Sequence, residues 1–162
     1  MTAAALEGLL ADDPAQAVTL TTSRVVAKER GLRITEAAST SGTDYAVAVR
    51  LKTETLTESL TLAGAVFNKR EPRLTEMEGV PLEAPLEGHL LLCQANDRPG
   101  IVGGIASLLA DHGINILQMR SGGGDGRLPA VAVFNLDSPI AEELLSALRK
   151  LPSLNRVGQA SL

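Results

Sequence analysis

Hydrophobic and polar positions change their period several times along this chain, and each change marks an element. Ala3–Ala11 is rich in good helix formers and stops at Asp12-Asp13-Pro14, which predicts a short helix. Gln16–Leu20 reads as a strand. Thr22 or Ser23 then caps a helix through Arg30, with Val25, Val26 and the stem of Arg30 inward and Gly31 closing it. Leu32–Ala38 is predicted as a strand, followed by a turn at Ser39–Thr43. Tyr45, Val47, Val49 and Leu51 alternate with Ala46, Ala48, Arg50 and Lys52, the clearest period-two pattern of the first half. After a polar turn at Thr53–Glu58, Leu60–Phe67 and Arg73–Glu78 read as further strands, and Glu78-Gly79 as a turn. Strands in succession with short turns predict an antiparallel meander.

The second half has a more regular order. His89–Ala95 is an apolar run of strand length, and Asn96-Asp97-Arg98 supplies turn chemistry. Pro99 is placed in the first helical turn, where no hydrogen bond is lost. Ile101, Ile105, Leu108 and Leu109 form one stripe of that helix, and Gly113 stops it. Ile114–Arg120 and Ala130–Leu136 are strands joined by a glycine-rich loop at Ser121–Gly126, the second of them apolar on both faces. Asp137-Ser138-Pro139 is predicted to start a second helix striped by Leu144, Leu145, Leu148 and Leu151. Pro152 ends it, and Leu154–Leu162 is the last strand.

Composition narrows the class. The chain has 162 residues, enough for one or two small domains, with net charge −4 and a pI of about 5.2. Residues 1–87 carry 9 basic and 13 acidic groups, whereas 88–162 carry 6 of each, so the excess acid lies in the first half. With no basic run, neither nucleic acid nor an anionic membrane is an expected partner. Cys93 is the one cysteine, which excludes an intrachain disulfide and argues against a zinc cluster. No stretch approaches the roughly 18 apolar residues of a membrane helix and no charged-then-apolar leader opens the chain, so the expected location is cytoplasmic. Tyr45, Phe67 and Phe134 are the only aromatic residues, so the core must be aliphatic.

Asp97-Arg98-Pro99-Gly100, followed one helix length later by Gly113-Ile114-Asn115-Ile116, resembles an ACT domain. That is the small-ligand-sensing module of many enzymes of amino-acid metabolism. The resemblance implies a ferredoxin-like βαββαβ fold that binds amino acids near its first strand-to-helix loop, usually between two such domains. Val26–Gly31 together with Ala63–Gly79 is similar to the intervening domain of long-form D-3-phosphoglycerate dehydrogenases. In those enzymes it lies between the nucleotide-binding domain and a C-terminal ACT domain. The family's catalytic and NAD-binding domains have no counterpart here, so the chain resembles a C-terminal fragment or a free-standing regulatory piece.

The resemblance points to Asp97 and Asn115 as effector-binding residues. An α-amino acid needs an oxygen for its ammonium and backbone N–H groups at a helix N-terminus for its carboxylate. Asp97, Asn115 and the amides of Gly100, Ile101 and Val102 supply these. In one βαβ unit Asp97 and Asn115 fall at opposite ends of the helix, so pairing them takes two chains. The alternative is that Asp97 caps a turn and Asn115 pins a strand edge. Serine-inhibited members of the family often carry a polar side chain two residues before the aspartate. This chain has Ala95 there, which offers only its backbone. Arg70 and Arg73 are a candidate anion site, or else two solvated arginines paired with Glu71 and Glu76.

No catalytic residue is identified. His89 and His112 stand alone, His112 where it favours the carbonyl end of a helix, and Cys93 sits mid-strand as an inert thiol. The glycine clusters lack the G-x-G-x-x-G spacing of a nucleotide site. The two resemblances imply an α+β fold, with a partial α/β intervening domain over 1–86 and a ferredoxin-like ACT domain over 87–162. The expected function is amino-acid sensing, with L-serine as effector and a homodimer through the ACT halves. No metal or cofactor is expected in the chain itself, and NAD belongs to the absent domains of the parent. Two rivals are the regulatory part of an iron–sulfur L-serine dehydratase and a ligand-free ACT assembly module.

Overall fold

A computed structural model describes residues 2–11, 17–38, 48–123, 126 and 128–162. The chain divides into two compact units, Met1–Gly42 and Thr43–Leu162. In the first, helix α1 (Thr2–Leu9) packs against α2 (Ser23–Glu29), with Leu6, Val26 and Ala27 buried. Val25, predicted inward, is 58% exposed, because the short helix has room for only one buried stripe. The strand predicted at Gln16–Leu20 is absent over 17–20, where Thr19 and Thr22 form a turn: the Thr22 N–H donates to the Thr19 carbonyl at 3.1 Å. Leu32–Ala38 is likewise not a strand. It is exposed throughout, and no described strand pairs with it to satisfy its backbone. The turn at Ser39–Thr43 and positions Tyr45, Ala46 and Val47 lie outside the described residues.

Among the described residues the second unit contains two four-stranded antiparallel sheets. The first is the expected meander, in order β1 (Ala48–Glu54), β2 (Ser59–Phe67), β3 (Glu71–Met77) and β4 (Val80–Pro85). Thr53 and Glu54 extend β1 into the predicted turn. β4, which is not among the predicted strands, alternates buried Val80, Leu82 and Ala84 with exposed Pro81 and Glu83.

The second sheet runs β6 (Ile116–Gly122), β7 (Ala130–Leu136), β5 (His89–Ala95), β8 (Leu154–Ser161), with helix α3 (Ile101–Asp111) after β5 and α4 (Glu142–Leu148) after β7. This is the ferredoxin-like βαββαβ arrangement. Its two faces have separate cores. Leu91, Cys93, Phe134, Leu136 and Val157 meet Ile105 and Leu109 of α3 and Leu144, Leu145 and Leu148 of α4. Leu90, Val131 and Val133 on the opposite face meet Leu74, Met77, Val80, Leu82 and Ala84 of the meander. Alternate residues of β5 and β7 thus serve different layers, which is why those strands read as continuous apolar runs.

Two helix starts differ from expectation. α3 begins at Ile101 with Gly100 as N-cap, so Pro99 stands one residue ahead of the cap. α4 begins at Glu142 rather than near Pro139. The Asp137 carboxylate does not cap it; it accepts the backbone N–H of Asn115 at 3.0 Å and the Ser138 hydroxyl at 2.7 Å.

Candidate functional site

The loop leaving β5 is held at its base. The Asn96 N–H donates to the Ser153 carbonyl at 2.9 Å, and its Oδ1 accepts from Asn155 Nδ2 at 3.1 Å. Asp97 and Arg98 follow, both exposed. Gly100 then turns the chain at φ 94°, a left-handed conformation that suits glycine. No side chain caps α3. The N–H groups of Ile101, Val102 and Gly103 therefore have no intrahelical partner, and Gly104 is the first to bond back, to the Gly100 carbonyl at 2.8 Å.

A cavity of about 370 Å³ lies between this helix end and the sheet, bordered by Asp97–Gly103 on one side and Ser121–Gly123 on the other. The sheet leaves room there because of side-chain size. Ser121, Ala132 and Cys93 face one another across β6, β7 and β5, with Ala130 opposite Ala95 beside them. Further along, Met119, Phe134 and Leu91 occupy the equivalent positions and fill the space. A second recess of about 380 Å³ shares Ala95, Asp97 and Ala130 and extends towards Leu128 and Pro129. The orphan amides and the Asp97 carboxylate thus meet at one opening, a pairing suited to the carboxylate and ammonium of an amino acid.

Ala95, Asp97, Gly100, Ile101 and Val102 all border the cavity; Asn115 does not. The backbone of Asn115 is tied to Asp137 through its N–H, and its carbonyl accepts the Asp137 N–H at 3.1 Å. The Ser138 hydroxyl, then the Asn115 N–H, hold the Asp137 carboxyl below the usual carboxylate range. The Asn115 side chain remains exposed. Within one chain, therefore, Asp97 and Asn115 do not share the cavity. Sequence reasoning missed Ser121, Gly122 and Gly123, treating them as loop. The period-two count from Met119 would have placed Ser121 on the helix-facing side.

Arg73 donates to Glu71 at 3.0 Å and to Glu83 at 3.5 Å, and its guanidinium lies 5.0 Å from the Phe67 ring centre. Arg70 is exposed in the β2–β3 turn. Glu76, expected beside these arginines, is bound by Arg50 at 2.6 Å. His112 Nδ1 lies 2.8 Å from the Leu108 carbonyl at the end of α3. Burial pushes the Cys93 thiol up to about 12. Its thiolate fraction at neutral pH is accordingly very small. Iodoacetamide at pH 8 should leave Cys93 unmodified in the native chain and label it fully in urea, as read by intact mass; comparable labelling rates in the two states would refute the packing described. Among the described residues no helix is long and apolar enough to cross a membrane, and no cluster of His, Cys, Asp or Glu is arranged to hold a metal.

Comparison with known proteins agrees with this architecture. The D-3-phosphoglycerate dehydrogenase intervening domain matches residues 1–78, and the ACT domain matches residues 89–153. A D-3-phosphoglycerate dehydrogenase of Synechocystis is 32% identical over 93% of this chain and 27% of its own length. One from Methanocaldococcus jannaschii is 30% identical over 97% of the chain and 30% of its length. A probable L-serine dehydratase β chain of Bacillus subtilis is 29% identical over 60% of the chain and 44% of its length. The chain thus spans under a third of the dehydrogenases it resembles, in their C-terminal part. It belongs to the family of paired intervening and ACT domains that forms the C-terminal regulatory region of D-3-phosphoglycerate dehydrogenases.

Proposed function

We propose that this chain is the effector-sensing and assembly region of an NAD-dependent D-3-phosphoglycerate dehydrogenase, and that it binds L-serine. The observation that carries the reading is the cavity at the uncapped start of α3, where Asp97 and the Ile101–Gly103 amides converge within an ACT domain. The amino acid's carboxylate takes the amides and its ammonium takes Asp97. Two copies pair through their ACT halves, and Asn115 of a second copy completes the site. The division at 86/87 separates this sensing half from the intervening half. Catalysis and NAD binding belong to other domains of the parent, and Arg70 with Arg73 is offered as a separate anion site. The L-serine dehydratase β-chain relative supports a second reading, in which the same module serves a dehydratase.

Calorimetric titration of the chain with L-serine tests the proposal. Saturable binding at one site per chain, with a dimer in sedimentation at tens of micromolar, is the expected result. A monomer that takes up no amino acid would leave only a structural role.

A further inference from the structure

Resting on that effector reading, we infer that Ser121 reads the ligand's side chain and sets the preference for a short, hydroxyl-bearing amino acid. Ser121 is opposite Ala132 on β7, and Ala132 is opposite Cys93 on β5, so the three form one row on the helix-facing side of the sheet. That row borders the same cavity as Asp97 and the first amides of α3. A ligand whose ammonium and carboxylate occupy Asp97 and those amides directs its side chain across this row.

The chemistry of the row decides what the side chain meets. Ala95, Ala130 and Ala132 have no polar side-chain atoms, and their main chains lie in the β5–β7 ladder, Ala95 opposite Ala130 and Ala132 opposite Cys93. Cys93 is 2% exposed and keeps its proton, so it offers little as a hydrogen-bonding group. Ser121 alone among these floor residues carries a hydroxyl, and it has no side-chain partner among the described residues. A hydroxyl both donates and accepts, so Ser121 can pair with a hydroxymethyl group in either sense. L-alanine at the same place would leave Ser121 as it is in the empty cavity. Arg98, the other charged residue at the rim, lies in the exposed loop and is not part of this row.

The test compares affinities of the whole chain for L-serine and L-alanine, in the unaltered protein and in Ser121→Ala and Ser121→Thr. One neutral hydrogen bond corresponds to roughly a two- to tenfold preference for L-serine. Ser121→Ala should reduce that ratio to about one by weakening L-serine and leaving L-alanine unchanged. Ser121→Thr, which restores a hydroxyl on a residue suited to strands, should keep the preference. Far-ultraviolet circular dichroism separates a local effect from loss of fold. A serine preference that persists in Ser121→Ala overturns the role of Ser121 while the effector reading stands, as does equal binding of both ligands to the unaltered chain. If neither amino acid binds the unaltered chain, the effector reading itself fails, and this inference with it.

Discussion

Phe134→Ala should lower folding stability by about 3–5 kcal/mol, the largest effect expected of any single truncation in the second unit. Phe134 is 0% exposed at the centre of β7, opposite Leu91 on one side and Met119 on the other. It belongs to the cluster shared by both helices, in a chain that has only two phenylalanines and no tryptophan. Its neighbours are aliphatic and fixed by ladders and helices, so they cannot collapse into a phenyl-sized void. Small domains have about 5–15 kcal/mol in total, so the variant should melt far earlier in urea with an unchanged m-value. A loss below about 1 kcal/mol would mean that the helix-facing core is not packed as described.

The second large effect concerns the ligand. Hydrogen bonds to a charged ammonium are worth about 1.5–3 kcal/mol each. Asp97→Ala and Asn115→Ala should therefore each weaken L-serine binding by at least about tenfold. Stability without ligand should change little. Asp97 is exposed, and the bonds from Asn115 to Asp137 run through its backbone, which survives the substitution. If each site draws one residue from each copy, mixing the two variants should restore it. A mixed dimer has one site lacking both groups and one with both intact. Random exchange makes half of the dimers mixed, so recovery of about a quarter of all sites is the expected result; no recovery among copies that do exchange means that the two residues do not meet across the dimer, and undiminished binding by both single variants places the site elsewhere.

The ACT half was legible because its signals are local and mutually consistent. The stripe of α3 and the apolar runs of β5 and β7 lie where their periods put them, and Ala130–Leu136 coincides with the observed strand. In the first unit the two helices were legible, as α1 and α2, but the strands read at Gln16–Leu20 and Leu32–Ala38 were not found over 17–20 and 32–38. Leu32–Ala38 alternates like a strand, yet a strand is a property of a ladder, and no described neighbour supplies one. Pro99 and Pro139 misled for a related reason. Each was read as a first-turn residue, whereas Gly100 with its positive φ and the Asp137–Asn115 exchange are what place the turns. Of the candidate site, Asp97 and the α3 amides were visible as a motif. Ser121 was hidden because the glycines after it suggested that β6 had already ended. Which cavity the loop would border depends on pairing between distant strands, which no local pattern contains.

The covering of the ACT sheet by the meander bears on how such regions diversify. Leu90, Val131 and Val133 are buried against Leu74, Met77 and Val80, and the Asn135 side chain holds the connecting segment by donating to the Pro85 and Glu87 carbonyls at 3.1 and 3.2 Å. The two halves have therefore shared an interior, and a recombination event that joined this ACT half to an unrelated upstream partner would leave an oily sheet face without its lid. Volume changes on one side of that seam have to be answered on the other. The pair should drift together as a single heritable block, even though each half is recognisable alone.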